Sequence, residues 1–213
     1  IRKAALSDDS VGQFFGKGKI SRMEKQKWGG GALLAPLPAV MVSCGDAERP
    51  NIITVAWCGI LATQPPTTYI SVRPKRYSHG LIRESGEFVI NLTPSSLVKA
   101  ADFCGIYTGA KVDKFAKCGL HAQESFEVSC PSIGESPLSI ECRVRQVVPL
   151  GSHDMFISDI VAVGVDPSLI DSAGKLHLER AGLCAFAHGE YYALGQRLGN
   201  FGFSAKKPSK RRR

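Results

Sequence analysis

The 213-residue sequence predicts a mainly β fold with short helices, closed or partly open as a barrel. Short apolar segments of strand length recur along the chain, separated by Gly, Pro and Asn signals. Residues 139–165 alternate with a period of two around a glycine-containing turn, as a long antiparallel hairpin does. Helical stretches number two or three and are short, too few for a doubly wound parallel sheet.

Taken in order, residues 1–27 mix short apolar and charged pieces, with Gly12, Gly16 and Gly18 interrupting any long helix. They read as an N-terminal extension. Gly29–Gly31 mark the entry to a body spanning residues 28–203, and residues 204–213 form a basic tail. Strands are expected at Ala39–Cys44, Ile52–Cys58, Thr68–Arg73 and Glu87–Leu92. A short helix lies between the last two, with Ser78 placed to cap it. Ser95–Phe103 reads as a helix capped by Ser95 or Ser96 and stopped at Gly105. In Ser139–Val148, Ile140, Cys142 and Val144 share one face while Glu141, Arg143 and Arg145 share the other, a half-buried strand. Gly151–Asp154 turns the chain and Met155–Val165 returns. Residues 167–180 are a loop with a turn at Ser172–Gly174, and Glu190–Leu194 reads as a last strand.

Composition narrows the function classes. The hydrophobic share of 44% fits a soluble globular protein. Of the net charge of +8, residues 1–27 contribute +4 and residues 206–213 contribute +6, which leaves −2 for the body. Nucleic acid is therefore not an expected partner of the body. The tail fits a solvated end and, in the sharper reading, an electrostatic anchor for polyanions. The seven cysteines are odd in number and none sits at CxxC spacing, which argues against a zinc ribbon or a thioredoxin-type dithiol. Free thiols in apolar strands point to a reducing, cytoplasmic compartment. No apolar run approaches the roughly 20 residues that span a bilayer, so no membrane partner is expected. Residues 1–27 lack the continuous apolar core of a signal peptide. There is no Walker A loop, GxGxxG or GxSxG, and the HGE at His188–Glu190 has no second metal-ligand motif. Neither a metal site nor a catalytic side chain is expected.

The chemistry concentrates in Asn51–Leu92. The turn Arg73–Ser78 (RPKRYS) sets two arginines, a lysine and a hydroxyl between a strand and a helix start, and Arg83 follows with no acid between. Charge-assisted donors and free helix N–H groups at such a place suit a phosphate; an exposed helix start is the plainer reading. The preceding strand ends in Thr54, Ala56 and Trp57, small and planar groups that can lie along a flat ring. Phosphate at one end and ring at the other suggest a nucleotide-like cofactor.

The order NxxTxAW, PP, SxRPxRYSxxLI, FVINL resembles the flavin reductase-like family with the FMN-binding split barrel, the flavoredoxin branch most nearly. Asp102–Phe115 (DFCGIYTGAKVDKF) and Gly151–Val163 (GSHDMFISDIVAV) are similar to two further family segments, so the likeness runs from about Trp28 to Gly195. It implies a homodimer of six-stranded Greek-key barrels with FMN near the subunit interface. In the reductase reading of this resemblance NAD(P)H is the electron donor, and a second flavin, a metal complex or a redox partner protein is the acceptor. The alternative is a flavoredoxin-like electron carrier with no small-molecule substrate of its own, and nothing in the sequence marks a nicotinamide site. The implied flavin loop is Asn51, Thr54, Val55, Ala56, Trp57 and Cys58. The implied phosphate turn is Ser71, Val72, Arg73, Arg76 and Ser78, with Tyr77 beside it. Asn91 is implied to face the ribityl chain, Lys114 to supply a second cation and Phe115 to pack beside the ring. For Trp57, a core position is the alternative. The sequence departs from the family at Thr108 (usually Ser), Lys111 (often Arg), Ser152 (usually Asp) and Ser158 (usually Gly). The last two leave His153 readable as a plain surface histidine. Cys104 resembles a family position near the site, where a reactive thiol is one reading and an inert buried thiol the plainer one.

Overall fold

Strand β2 (Val40–Cys44, VMVSC) is buried along its whole length, which puts it between two layers of apolar side chains. The computed structural model describes residues 22–205, and Leu33–Leu194 form one compact unit. The described flanks, residues 22–32 and 195–205, fall in a second unit. They are exposed and irregular apart from a 3-10 turn at Phe203–Ala205.

The main sheet is antiparallel and runs β3 (Asn51–Val55), β2, β6 (Glu87–Leu92), β9 (Leu138–Pro149), β10 (Asp154–Val165), β5 (Pro66–Val72), β4 (Cys58–Thr63). The sequence suggests one strand over Ile52–Cys58, but the chain breaks at Ala56–Trp57 into β3 and β4, which lie on opposite edges of the sheet. One bent ribbon thus supplies both edges. The corner joins them directly, and Ser71 N donates to Trp57 O at 2.8 Å across it. Closing the sheet in this way removes most of its free edge, and counting the bent ribbon once gives a barrel of six walls. From β5 the chain crosses through α1 (Tyr77–Ser85) to β6, which pairs with β2 and β9 and not with β5. That long crossover gives the Greek-key connectivity.

The barrel interior holds Val40, Val42, Ile53, Val55, Ile70, Val72, Phe88, Cys142 and Phe156. Phe88 and Phe156 are fully buried, and burying each contributes roughly 1.5–3 kcal/mol. On the outer face of β2 and β3, Met41 and Ile52 pack against α2 (Val98–Ile106) and α3 (Lys114–Cys118) through Ala101, Cys104 and Phe115.

Several expectations need correction here. Ser78 lies inside α1, whose N-cap is Arg76 with no side-chain cap. Neither Ser95 nor Ser96 caps α2; both sit in a 3-10 turn before it, and Ser95 Oγ donates to Gly182 O at 3.0 Å. The helix runs past Gly105 to Ile106, and a Cβ at Gly105 would only come into contact with Thr54 Cβ at 3.4 Å. Glu141 is not on a solvated face. It is 1% exposed and accepts from the backbone N–H groups of Phe126 and Glu127 at 2.8 and 2.7 Å, so a covering loop replaces its water. Cys184–Ala187 is an additional strand, β11, which pairs with β1 (Leu37–Pro38) and with β12 (Glu190–Ala193). The HGE stretch is its hairpin turn, with positive φ at His188 and Gly189.

Candidate functional site

The β3–β4 corner, the end of β5 and the turn that follows open onto one cavity of about 400 Å³. Thr54, Val55, Ala56 and Trp57 line one side, and Ser71, Val72, Arg73 and Arg76 line another. Two sequence segments singled out for different chemistries thus share one space. Trp57 is 45% exposed at the rim, so it is not a core residue. Its position follows from the corner: the chain breaks after Val55, and Cys58, buried at the start of β4, leaves the residue before it turned outward. Thr54 is fixed by donation from Oγ1 to Ala101 O on α2.

Charge in the cavity is largely positive. Among the described residues neither Arg73 nor Arg76 pairs with an acid. Arg73 Nε donates instead to His153 Nε2 at 3.4 Å, which makes that nitrogen an acceptor and puts the ring proton on Nδ1, 2.9 Å from Ser152 Oγ. Burial, then the Arg73 charge, holds the His153 pKa below the usual histidine value, so the ring is neutral near pH 7. Its plane lies within 10° of Trp57, with ring centroids 6.4 Å apart. The start of α1 carries no side-chain cap, leaving first-turn N–H groups for an anion.

Other lining groups come from elements that the sequence did not single out for the site. Asp102, Gly105 and Ile106 are presented by α2, and Phe186 and Tyr191 by the β11–β12 hairpin. The Tyr191 hydroxyl points at Asp102 Oδ1 from 3.5 Å. The DFCG stretch carried a signal for the helix residues; nothing local marked Phe186 or Tyr191, which reach the cavity through long-range pairing.

The remaining sequence candidates lie elsewhere. Asn51 is buried below the turn, where Nδ2 donates to Ser78 Oγ at 2.8 Å while Oδ1 has no partner. Ser78, Tyr77, Arg76 and Lys114 surround a recess of about 10 Å³ beside it. Lys114 is buried, and Nζ donates to Ile52 O and Cys104 O at 2.6 and 2.9 Å. Burial lowers its pKa from the ordinary lysine value, against the neighbouring thiols of Cys104 and Cys44. Cys58 points into the barrel core, where burial pushes its thiol up to about 12. Phe115 belongs to the outer core under α2 and not to the cavity wall. Asn91 is fully buried away from the cavity. Its Oδ1 accepts from Ile133 N and Ser139 Oγ at 2.9 and 2.8 Å, and its amide donates to Met41 O and Ser43 Oγ at 3.0 Å.

Against known proteins, the family described as flavin reductase like domain matches residues 33–194. A solved flavoredoxin of Desulfovibrio vulgaris (Miyazaki F) is 34% identical, covering 86% of this chain and 100% of that one with a TM-score of 0.80. The flavoredoxin from Methanosarcina acetivorans has a TM-score of 0.78 over the same shares at 24% identity, a likeness of fold. An FMN reductase (NADH) RutF of Enterobacter cloacae is 25% identical over 124 residues, 58% of this chain and 73% of that protein.

Proposed function

Since the chain belongs to the flavin reductase-like domain family, we propose that it is an FMN-binding flavoprotein oxidoreductase. In this reading it passes reducing equivalents from NAD(P)H to a flavin, a metal complex or a protein acceptor. One observation carries the proposal: a cavity of about 400 Å³ joins a flat Thr-Val-Ala-Trp edge to two guanidinium groups that have no acid partner among the described residues. The size falls in the range of about 300–1,000 Å³ typical of small-molecule sites.

The residues fit the group. Arg73, Arg76 and the uncapped start of α1 are suited to hold the phosphate, Arg through a planar fork that matches it. Backbone groups of Thr54–Trp57 orient the ring system, and the apolar walls Val55, Val72 and Ile106 keep water from it. Neutral His153 adds no charge at the mouth; Arg73 Nε and Ser152 hold its orientation. FMN, when bound, supplies hydride acceptance and onward electron transfer, so the protein's task is to bind and orient. NAD(P)H oxidation by the FMN-loaded protein, measured against free FMN at equal concentration, tests the reductase reading. A rate well above that background is expected.

A second reading is an electron carrier with no small-molecule substrate of its own, and the 34% identity to a flavoredoxin over that protein's whole length favours it. A visible spectrum with tightly held flavin but no NAD(P)H oxidation above background selects the carrier. A colourless protein that gains no chromophore with FMN overturns both.

A further inference from the structure

Cys104 on α2 and Cys118 at the end of α3 face one another with their sulfurs 4.0 Å apart. All seven cysteines are free, and this is the one pair of thiols in contact among the described residues. The two differ in access. Cys104 is fully buried in the outer core, whereas Cys118 is half-buried and opens onto a cavity of about 550 Å³ walled by Lys99, Lys117, Phe103 and Tyr107. A small oxidant reaches one sulfur and not the other. Both sulfurs also sit beside the site already described. Asp102 and Ile106, neighbours of Cys104 on α2, line both this cavity and the site cavity, and Lys114 on α3 ties its Nζ to Cys104 O and Ile52 O.

We propose that Cys104 and Cys118 form an oxidisable dithiol, closed to an intrachain disulfide by a peroxide, and that closure weakens the grip of the neighbouring cavity on FMN. Cys118 Sγ attacks the peroxide, whose O–O bond breaks; Cys118 becomes a sulfenic acid and the peroxide's second oxygen leaves as water or alcohol. Cys104 Sγ then attacks Cys118 Sγ, the S–O bond breaks, and the hydroxide leaves as water with the Cys104 proton. Two thiols have then lost two electrons to one peroxide, and an external thiol reverses the change by exchange. The division of labour follows burial. Cys104, shut off from the oxidant but with its sulfur against that of Cys118, takes the resolving role. Forming the bond brings the sulfurs from 4.0 Å to roughly 2.05 Å. That draws α2 toward α3 and shifts Asp102, Gly105 and Ile106 in the cavity wall. The affinity effect rests on the flavin reading above; the disulfide does not.

The test uses the full chain, reduced and then treated with hydrogen peroxide. Remaining thiols are alkylated, peptides are mapped, and FMN is titrated before oxidation, after it, and after dithiothreitol. A Cys104–Cys118 cross-link is expected in the wild type and absent from Cys118→Ser. The FMN dissociation constant should rise roughly threefold to tenfold on oxidation, a change of about 0.7–1.4 kcal/mol, and return on reduction. Cys118→Ser should hold FMN normally and ignore peroxide, which keeps the test independent of any folding defect in a Cys104 variant. Over-oxidation of Cys118 without a cross-link, or Cys118 linking two chains, overturns the proposal. A cross-link that leaves FMN affinity unchanged overturns the coupling to the site. Failure of the reduced protein to bind FMN would refute the flavin reading while the peptide map still decides the dithiol.

Discussion

Arg76 and Lys75 are adjacent, both cationic and both exposed, yet only Arg76 lines the cavity. Losing a charge-assisted bond to a phosphate costs about 1.5–3 kcal/mol. Arg76→Ala is therefore expected to weaken FMN binding by roughly 10- to 100-fold, and Lys75→Ala to change it little. Fluorescence titration of the two variants checks this, and equal losses would place the phosphate elsewhere. Asn91 shows the opposite relation between type and task. Its chemistry suits a ribityl contact, but every polar atom is already used to bind β2, Ser139 and the backbone of Ile133. Asn91→Ala leaves those buried partners unmatched, so a loss of about 2–4 kcal/mol in urea unfolding is expected with little direct effect on the cavity. Residue types were legible in the sequence at both positions. What period-two reasoning alone could not give was which face of β6 meets solvent, because both faces are covered.

Among the elements, the loop between α2 and α3 connects the basic turn to the barrel through one glycine. A Cβ on Gly109 would lie 1.9 Å from Asn51 Oδ1 and 3.1 Å from Tyr77 Cδ1. Asn51 in turn donates to Ser78 on α1. Gly109→Ala should push Asn51 off Ser78, destabilise the fold by about 1–3 kcal/mol and loosen FMN; a variant unchanged in thermal melting and in titration would show that the contact is slack. The long hairpin β9–β10 and strands β2, β5 and β6 follow from apolar patterning, because each buries a continuous face. The corner at Ala56–Trp57 did not stand out, since an apolar run with β-branched residues reads as one strand until its two halves meet different neighbours. Short β11 has four residues and gains its identity only from pairing with β1 and β12. Phe186 and Tyr191 were hidden with it.

For the molecule as a whole, the barrel leaves β4 at the sheet edge, paired among the described residues only with β5, and its outer residues Ile60 and Leu61 are 63% and 48% exposed. An apolar edge strand of this kind invites pairing unless something covers it. Trp57, at the rim of the cavity, immediately precedes β4. A second copy packed on β4 would shield that edge and wall the cavity at once, in the arrangement the family resemblance implies. Ile60→Glu with Leu61→Glu places like charges where the two copies would meet and leaves the barrel interior untouched, since neither side chain is in the core. We expect the wild type to sediment as a dimer with about one FMN per chain, and the double variant to sediment as a folded monomer that has released its flavin. A monomeric variant that keeps its full flavin content would separate the site from the assembly. A wild type that is monomeric and yellow would remove the second copy from the account altogether and leave β4 covered by some other surface.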